Sequence, residues 1–224
     1  MLLLPETSLL DDHDIDNIRD YVRKGGTLLS FGHGSLFDRE GRLRENFALA
    51  DLFGCECAGT LAGYKRLAFP AGSELASTLS LYPGALAVKP TTADVLAEWK
   101  YAGDSPAILE NAYGQGRVIY VSAEELAFGE GSALLGELTA RLIGAPSFEI
   151  HGSRHYALLV NRQGNDLLCY LLNHDTTSAP STQGRLLKQS NLPQLETPEP
   201  VRLTIRTDQL GDFGSAELIP SGQV

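Results

Sequence analysis

The sequence predicts an α/β domain followed by a small antiparallel β module, and three observations carry that prediction. Residues 2 to 31 read as one strand-helix-strand unit. A second helical stretch at 131–143 ends the first part at Gly144 and Pro146. Beyond Pro146 the patterning is that of strands alone. The predicted boundaries are therefore 1–146 for the α/β domain and 147–224 for the β module, which four or so strands leave short of the roughly seven a sandwich needs.

Taken in order, Leu2 to Leu4 is a short apolar run of the kind a buried strand carries. In "DDHDIDNIRDYVRKGG", Asp11 or Asp12 supplies the N-cap and the first turn is acidic. Ile15, Ile18, Tyr21 and Val22 recur at helical spacing. Arg23 and Lys24 meet the negative end of the dipole before Gly25 caps the helix. "TLLSF" is the second strand, and the default for such a unit is a right-handed parallel crossover. Residues 32–44 read as a polar loop, and "ENFALADLFG" as a short helix stopped by Gly54. From 64 to 121 the pattern is one of short strands: "YKRLAF", "ALAVKP", "VLAEWKY", "AILENA" and "GRVIYVS". Turn chemistry falls at Pro83-Gly84, Gly103-Asp104 and Gly114-Gln115-Gly116, the last predicting a hairpin. "GSALLGELTARLIG" places Leu134, Leu135, Leu138 and Leu142 on one side of a helix. Four strands follow, "RHYALLVNRQ", "DLLCYLLNHD", "VRLTIRTD" and "AELIP", with a Ser/Thr/Pro/Gln-rich loop from about 176 to 200.

Composition excludes several function classes. The chain has 224 residues and a formal charge of −10, with 18 basic residues against 28 acidic ones. Nucleic-acid binding needs clustered cations and is not expected. Met1 to Leu4 is too short to cross a membrane and has no basic flank. No membrane partner is expected, and the chain as given carries no export signal, with the cytoplasm as the default compartment. Three cysteines cannot form a disulfide framework, and Cys55-Glu56-Cys57 is too tightly spaced for a zinc knuckle. Histidines stand at 13, 33, 151, 155 and 174. His151 and His155 are four apart in strand-rich sequence, which spreads them along a sheet. No metal and no cofactor are expected.

The stretch "GGTLLSFGHGSLFD", residues 25–38, has the form of a nucleophile elbow with no Cys or Ser at its tip. Together with "LLLPETSLL", the "YVRKGG" helix end, "FALADLFG" and "AILENAYGQGRVIYVSAE", it resembles the glutamine-amidotransferase-like domain that stands beside the catalytic barrel in β-galactosidases and related glycoside hydrolases, often called the β-galactosidase trimerisation domain. The resemblance runs over residues 2 to 175. It implies a flavodoxin-like fold of the class I glutamine amidotransferase type, lacking its first strand or strands. It also implies that the strands after Pro146 are part of the small β domain that follows. On the Gly-x-Cys-x-Gly elbow of that fold, Ser30-Phe31-Gly32-His33-Gly34 puts Gly32 where the nucleophile stands. A thiol would also need a His-acid pair late in the domain, and "SAEELAFGEG" offers Glu124 and Glu125 without a His.

The expectation is thus a degenerate elbow at Phe31, Gly32, His33 and Gly34 with no catalytic residue, in a non-catalytic accessory portion that associates subunits and frames a carbohydrate site. Its partners would be further copies of the chain, or a chain carrying a glycoside hydrolase barrel. The acidic cluster at Asp11, Asp12, Asp14 and Asp16 is accounted for by the helix N-terminus. A barrel of about 250 residues does not fit this length. Two other readings stand beside this one. One is a hydrolase re-equipped around His33, with Ser35 in reach but better suited to a cap or turn. The other is a carbohydrate-binding module built on Trp99 and Tyr101, which share a strand face, with Tyr113 at a turn, although a buried strand face also accounts for these rings. His33, Ser35 and Trp99 are therefore the candidate substrate contacts.

Overall fold

A computed structural model describes residues 1–5, 9–81, 84–124, 130–144, 147–151, 156–173, 201–206 and 215. The chain divides into two compact units, Met1–Ala145 and Pro146–Val224. In the first unit β1 (Leu2–Leu4), α1 (Asp12–Arg23) and β2 (Thr27–Phe31) are followed by a one-turn helix α2 (Ala50–Phe53). Next come β3 (Cys55–Thr60), β4 (Lys65–Ala68), β5 (Ser80–Leu81), β6 (Leu86–Pro90), β7 (Asp94–Lys100), β8 (Ser105–Tyr113) and β9 (Gly116–Val121), and α3 (Glu130–Ile143) closes the unit. The second unit contains β10 (Phe148–His151) paired antiparallel with β13 (Arg202–Ile205). Its other pair is the hairpin of β11 (Tyr156–Gln163) and β12 (Asp166–Asn173). The expected strand "AELIP" lies outside the described residues.

The flavodoxin-like, amidotransferase-like architecture is not what the chain forms. Seven strands make one sheet in the order β1-β2-β9-β8-β7-β4-β5, and only β1, β2 and β9 run parallel. From β9 onward every neighbour is antiparallel. A flavodoxin-like sheet needs a crossover helix between successive parallel strands. Between β2 and β9 this chain supplies a single helical turn and six strands, and its turn residues fold those strands back on one another. The result is a mostly-β, mixed sheet.

Local chemistry explains the elements that position the rest. Asp11 caps α1 through a reciprocal box: its side chain accepts from the Asp14 N–H at 2.9 Å, and the Asp14 carboxylate accepts from the Asp11 N–H at 3.2 Å. The C-cap is Lys24, one residue earlier than expected, with Gly25 just beyond at φ +102°. The central strands are apolar in continuous runs because both faces are covered. On one face Leu28, Leu109, Val118 and Tyr120 meet Ile15, Ile18 and Val22 of α1 and Leu52 and Phe53 of α2. On the other, Leu29, Ile108, Ile119 and Val121 meet Leu134, Leu138 and Leu142 of α3, together with Trp99 and Leu67. Glu110 on β8 ties this arrangement with charge, accepting from Arg117 of β9 and from Arg141 of α3 at 2.6 Å. Burial works to raise the Glu110 pKa, but the two guanidinium partners outweigh it and hold the carboxyl below its usual range.

The hairpin glycines set how closely α1 approaches β9. A Cβ on Gly116 would stand 2.2 Å from the Val22 carbonyl oxygen and 2.3 Å from that of Gly26, both backbone atoms with no freedom to retreat. Gly116→Ala is therefore expected to cost about 3 kcal/mol in urea denaturation. Gly136→Ala, on an exposed turn of α3 where an added Cβ meets nothing within 4 Å, should instead stabilise by about 0.5–1 kcal/mol. Equal costs at the two positions would contradict this packing.

Candidate functional site

β2 ends at Phe31 and the chain turns sharply at residues 32–35 without entering a helix. Gly32 takes φ +60°, a left-handed conformation that suits a residue with no Cβ. Both of its backbone groups are engaged with β9: its N–H donates to the Val121 carbonyl at 2.9 Å, and its carbonyl accepts from the buried Tyr120 hydroxyl at 2.7 Å. The Gly34 N–H donates to the Phe31 carbonyl at 3.3 Å. An acyl-transfer elbow would aim such amides at a developing oxyanion; at Gly32 and Gly34 they serve the fold. A Cβ at Gly34 would fall 2.3 Å from the Ser30 Oγ, a buried hydroxyl with no hydrogen-bond partner among the described residues.

The three candidate contacts do not converge. His33 is half-buried, its ring centroid 5.7 Å from that of Phe37. Ser35 is fully buried at φ +66°, and it clamps the lead-in to α2. Its Oγ accepts from the Leu49 N–H at 3.2 Å and its carbonyl from the Ala48 N–H at 3.1 Å. Trp99 lies on β7, three strand steps from β2 and so about 14 Å across the sheet. Its ring is 0% exposed and its Nε1–H donates to the Ser122 Oγ at 2.8 Å, so neither face is open to a sugar. Tyr101 does not share its face: it follows β7 at φ +69° and is 75% exposed, against Tyr64. Tyr113 lies beneath the Arg23 guanidinium, 5.9 Å from the ring centre.

The remaining polar groups mostly serve the fold. Asp16 and Asp51 pair with Arg19, and Asp20 pairs with Arg23. Burial pushes the Cys55 thiol up to about 12, which leaves it protonated and unreactive at neutral pH. Lys65 is fully buried, donating from Nζ to the Gly63 carbonyl at 2.9 Å; burial lowers its pKa against an opposing pull from Glu124. Asn111 is a residue that the sequence reading missed. Its Nδ2 donates to the Asp51 and Leu52 carbonyls at 3.1 and 2.9 Å, which caps the end of α2. Among the described residues no three His, Cys, Asp or Glu side chains gather for a metal ion, and no helix is long and apolar enough to cross a membrane. Glu125, His155 and His174 lie outside the described residues.

Residues 1–146 match a family described as the beta-galactosidase trimerisation domain. Solved structures with a similar fold include a beta-galactosidase from Bacillus circulans sp. alkalophilus, 15% identical with a TM-score of 0.65, and a GH42 beta-galactosidase from G. stearothermophilus, 18% identical with a TM-score of 0.63. Each match covers 77% of this chain and 26% of the other. Alpha-L-fucosidase isoenzyme 2 from Paenibacillus thiaminolyticus is 17% identical with a TM-score of 0.61, covering 91% of this chain and 34% of the other. The chain thus spans about a quarter to a third of the length of these enzymes, and at such identities the likeness concerns the fold. No curated protein sequence matches the chain.

The Tyr120-Gly32 bond gives a test of the elbow. Tyr120→Phe should cost about 1–2 kcal/mol in chemical denaturation, because the Gly32 carbonyl loses a buried donor. Burial, and then the neighbouring Cys55, Cys57 and Glu124, raise the Tyr120 pKa well above 10.0. Its proton is retained in both states below about pH 10, and above that pH only the unfolded chain releases it, so stability falls as pH rises. The expected result is a shallower alkaline loss in Tyr120→Phe than in wild type between about pH 9 and 11; superimposable curves would contradict the assignment.

Proposed function

We propose, since the chain belongs to the beta-galactosidase trimerisation domain family through residues 1–146, that it is the non-catalytic portion through which subunits of a glycoside-hydrolase-type protein associate. The observation that carries this reading is the open edge of the matched unit. Among the described residues β1 is terminal in the sheet order, and Met1 and Leu3 at it are 47% and 43% exposed; Leu9 and Leu43, each bridged to Phe37, are 51% and 69% exposed. A strand edge with uncovered leucines beside it is a pairing surface unless something covers it. Further copies of this chain, or a chain carrying a glycoside hydrolase barrel, are the partners that fit.

The engaged backbone at Gly32 supports a non-catalytic role, since Gly32 carries no nucleophile and both its N–H and its carbonyl are bonded to β9. Framing of a carbohydrate site belongs to the same reading. Sedimentation velocity at micromolar concentration is expected to give a species of three times the 24.1 kDa chain mass. Replacing Leu3 and Leu43 by Lys should shift it to monomer with near-UV circular dichroism unchanged, because both side chains already face solvent in the single chain. A wild-type monomer would contradict the proposal.

A further inference from the structure

The outer face of β4 and β7 carries a ligand-like constellation remote from the elbow. The pairing register sets Arg66 opposite Lys100 and Ala68 opposite Glu98. On β4 the alternation sends Lys65 and Leu67 into the core beside Trp99, leaving Arg66 outside. Simple alternation along β7 would send Tyr101 inward after Trp99. Instead Tyr101 adopts φ +69°, a true outlier for a bulky side chain, and stands 75% exposed. Its ring lies against that of Tyr64, which is 48% exposed, with centroids 5.8 Å apart and planes at 37°.

The groups beside this pair are ordered. The Lys100 ammonium bridges the Glu98 carboxylate at 2.9 Å and the Asp104 carboxylate at 3.2 Å. At Glu98 and Lys100 the surface dips into a hollow of about 320 Å³, also lined by Ala68, Phe69, Pro70, Val95 and Ala97. The strip therefore offers two aromatic faces, then charged donors and acceptors, then a hollow that Glu98 and Lys100 share with apolar side chains.

We propose that this strip binds a saccharide, with one pyranose ring against Tyr101 and Tyr64, its hydroxyls on Arg66, Lys100 and Glu98, and the next sugar directed toward the hollow. A pyranose presents an apolar C–H face to an aromatic ring and equatorial hydroxyls to both donors and acceptors, which matches this mixture. Phosphorylated ligands fit poorly, because Glu98 and Asp104 already hold the Lys100 charge. The location follows from the geometry; the choice of a sugar over other neutral polyols rests on the association reading above.

The test is an amide chemical-shift titration of the ¹⁵N-labelled 224-residue chain with lactose and cellobiose, with AMP as the phosphorylated control. Shifts in residues 64–68 and 98–104 on adding a disaccharide are expected. Tyr101→Gly should weaken that binding at least about tenfold without lowering the melting temperature, because glycine accepts the left-handed backbone freely. Tyr64→Ala should weaken it too. No disaccharide-induced shift in those segments, equal titrations of wild type and Tyr101→Gly, or a stronger response to AMP would each overturn the proposal. Sedimentation of the same samples separates the two readings. A trimer indifferent to disaccharide overturns this inference alone, whereas a monomer that binds disaccharide at these rings overturns the association reading alone.

Discussion

The burial of β9 on both faces is the constraint from which the rest of the first unit follows. β9 is the hinge between the parallel and antiparallel parts of the sheet, paired with β2 on one side and β8 on the other. A strand so placed must be apolar where it is covered, as it is from Val118 to Val121, and each of its faces needs a cover. α1 and α2 supply one and α3 the other, while Gly116 lets the end of α1 reach the strand at backbone distance. Tyr120 concentrates the interaction: its ring stacks on Phe53 at 4.7 Å, meets Phe47 edge-on at 5.1 Å, and its hydroxyl holds the Gly32 carbonyl. One side chain thus fastens α2, its lead-in and the elbow to the centre of the sheet.

Elements specified by their own residues were legible in the sequence. The N-cap, periodic apolar face and basic end of α1 are all local, and so is the apolar stripe of α3. The sheet order was not legible, because it depends on which strands meet across long separations. The alternation of strand and helix at the N-terminus pointed to an α/β domain and the family resemblance to a flavodoxin-like fold, which the antiparallel strands of residues 65–121 do not form. "ENFALADLFG" is helical only at Ala50–Phe53, and the residues before it are held by Asn46 and Ser35 in a non-helical lead-in. Asn46 Oδ1 accepts from Phe47 and Cys57, and Ser35 Oγ accepts from Leu49. β3, β5 and β10 escaped notice because β3 is polar and half-exposed and the other two are only two and four residues long.

The candidate site divides along the same line. The tight turn at Gly32 could be read directly, because a glycine is what a left-handed backbone position takes. The fate of Ser35 and Trp99 could not, since a serine clamping a loop from φ +66° and a tryptophan sealed by Ser122 are products of tertiary packing. Tyr101 is the clearest case: period-two reasoning places it beside Trp99, and a single left-handed residue turns it to the opposite side.

We read the turn at residues 32–35 as a joint and not as a reactive centre, with Gly32 bonded through both backbone groups to β9. The most direct measurement of that claim is hydrolysis of an aryl-glycoside panel, with glutamine as a parallel substrate, by the purified chain. The account predicts no turnover above a buffer blank for any of them. Turnover that disappears in His33→Ala would contradict it, because it would mean the turn had been re-equipped as an active site.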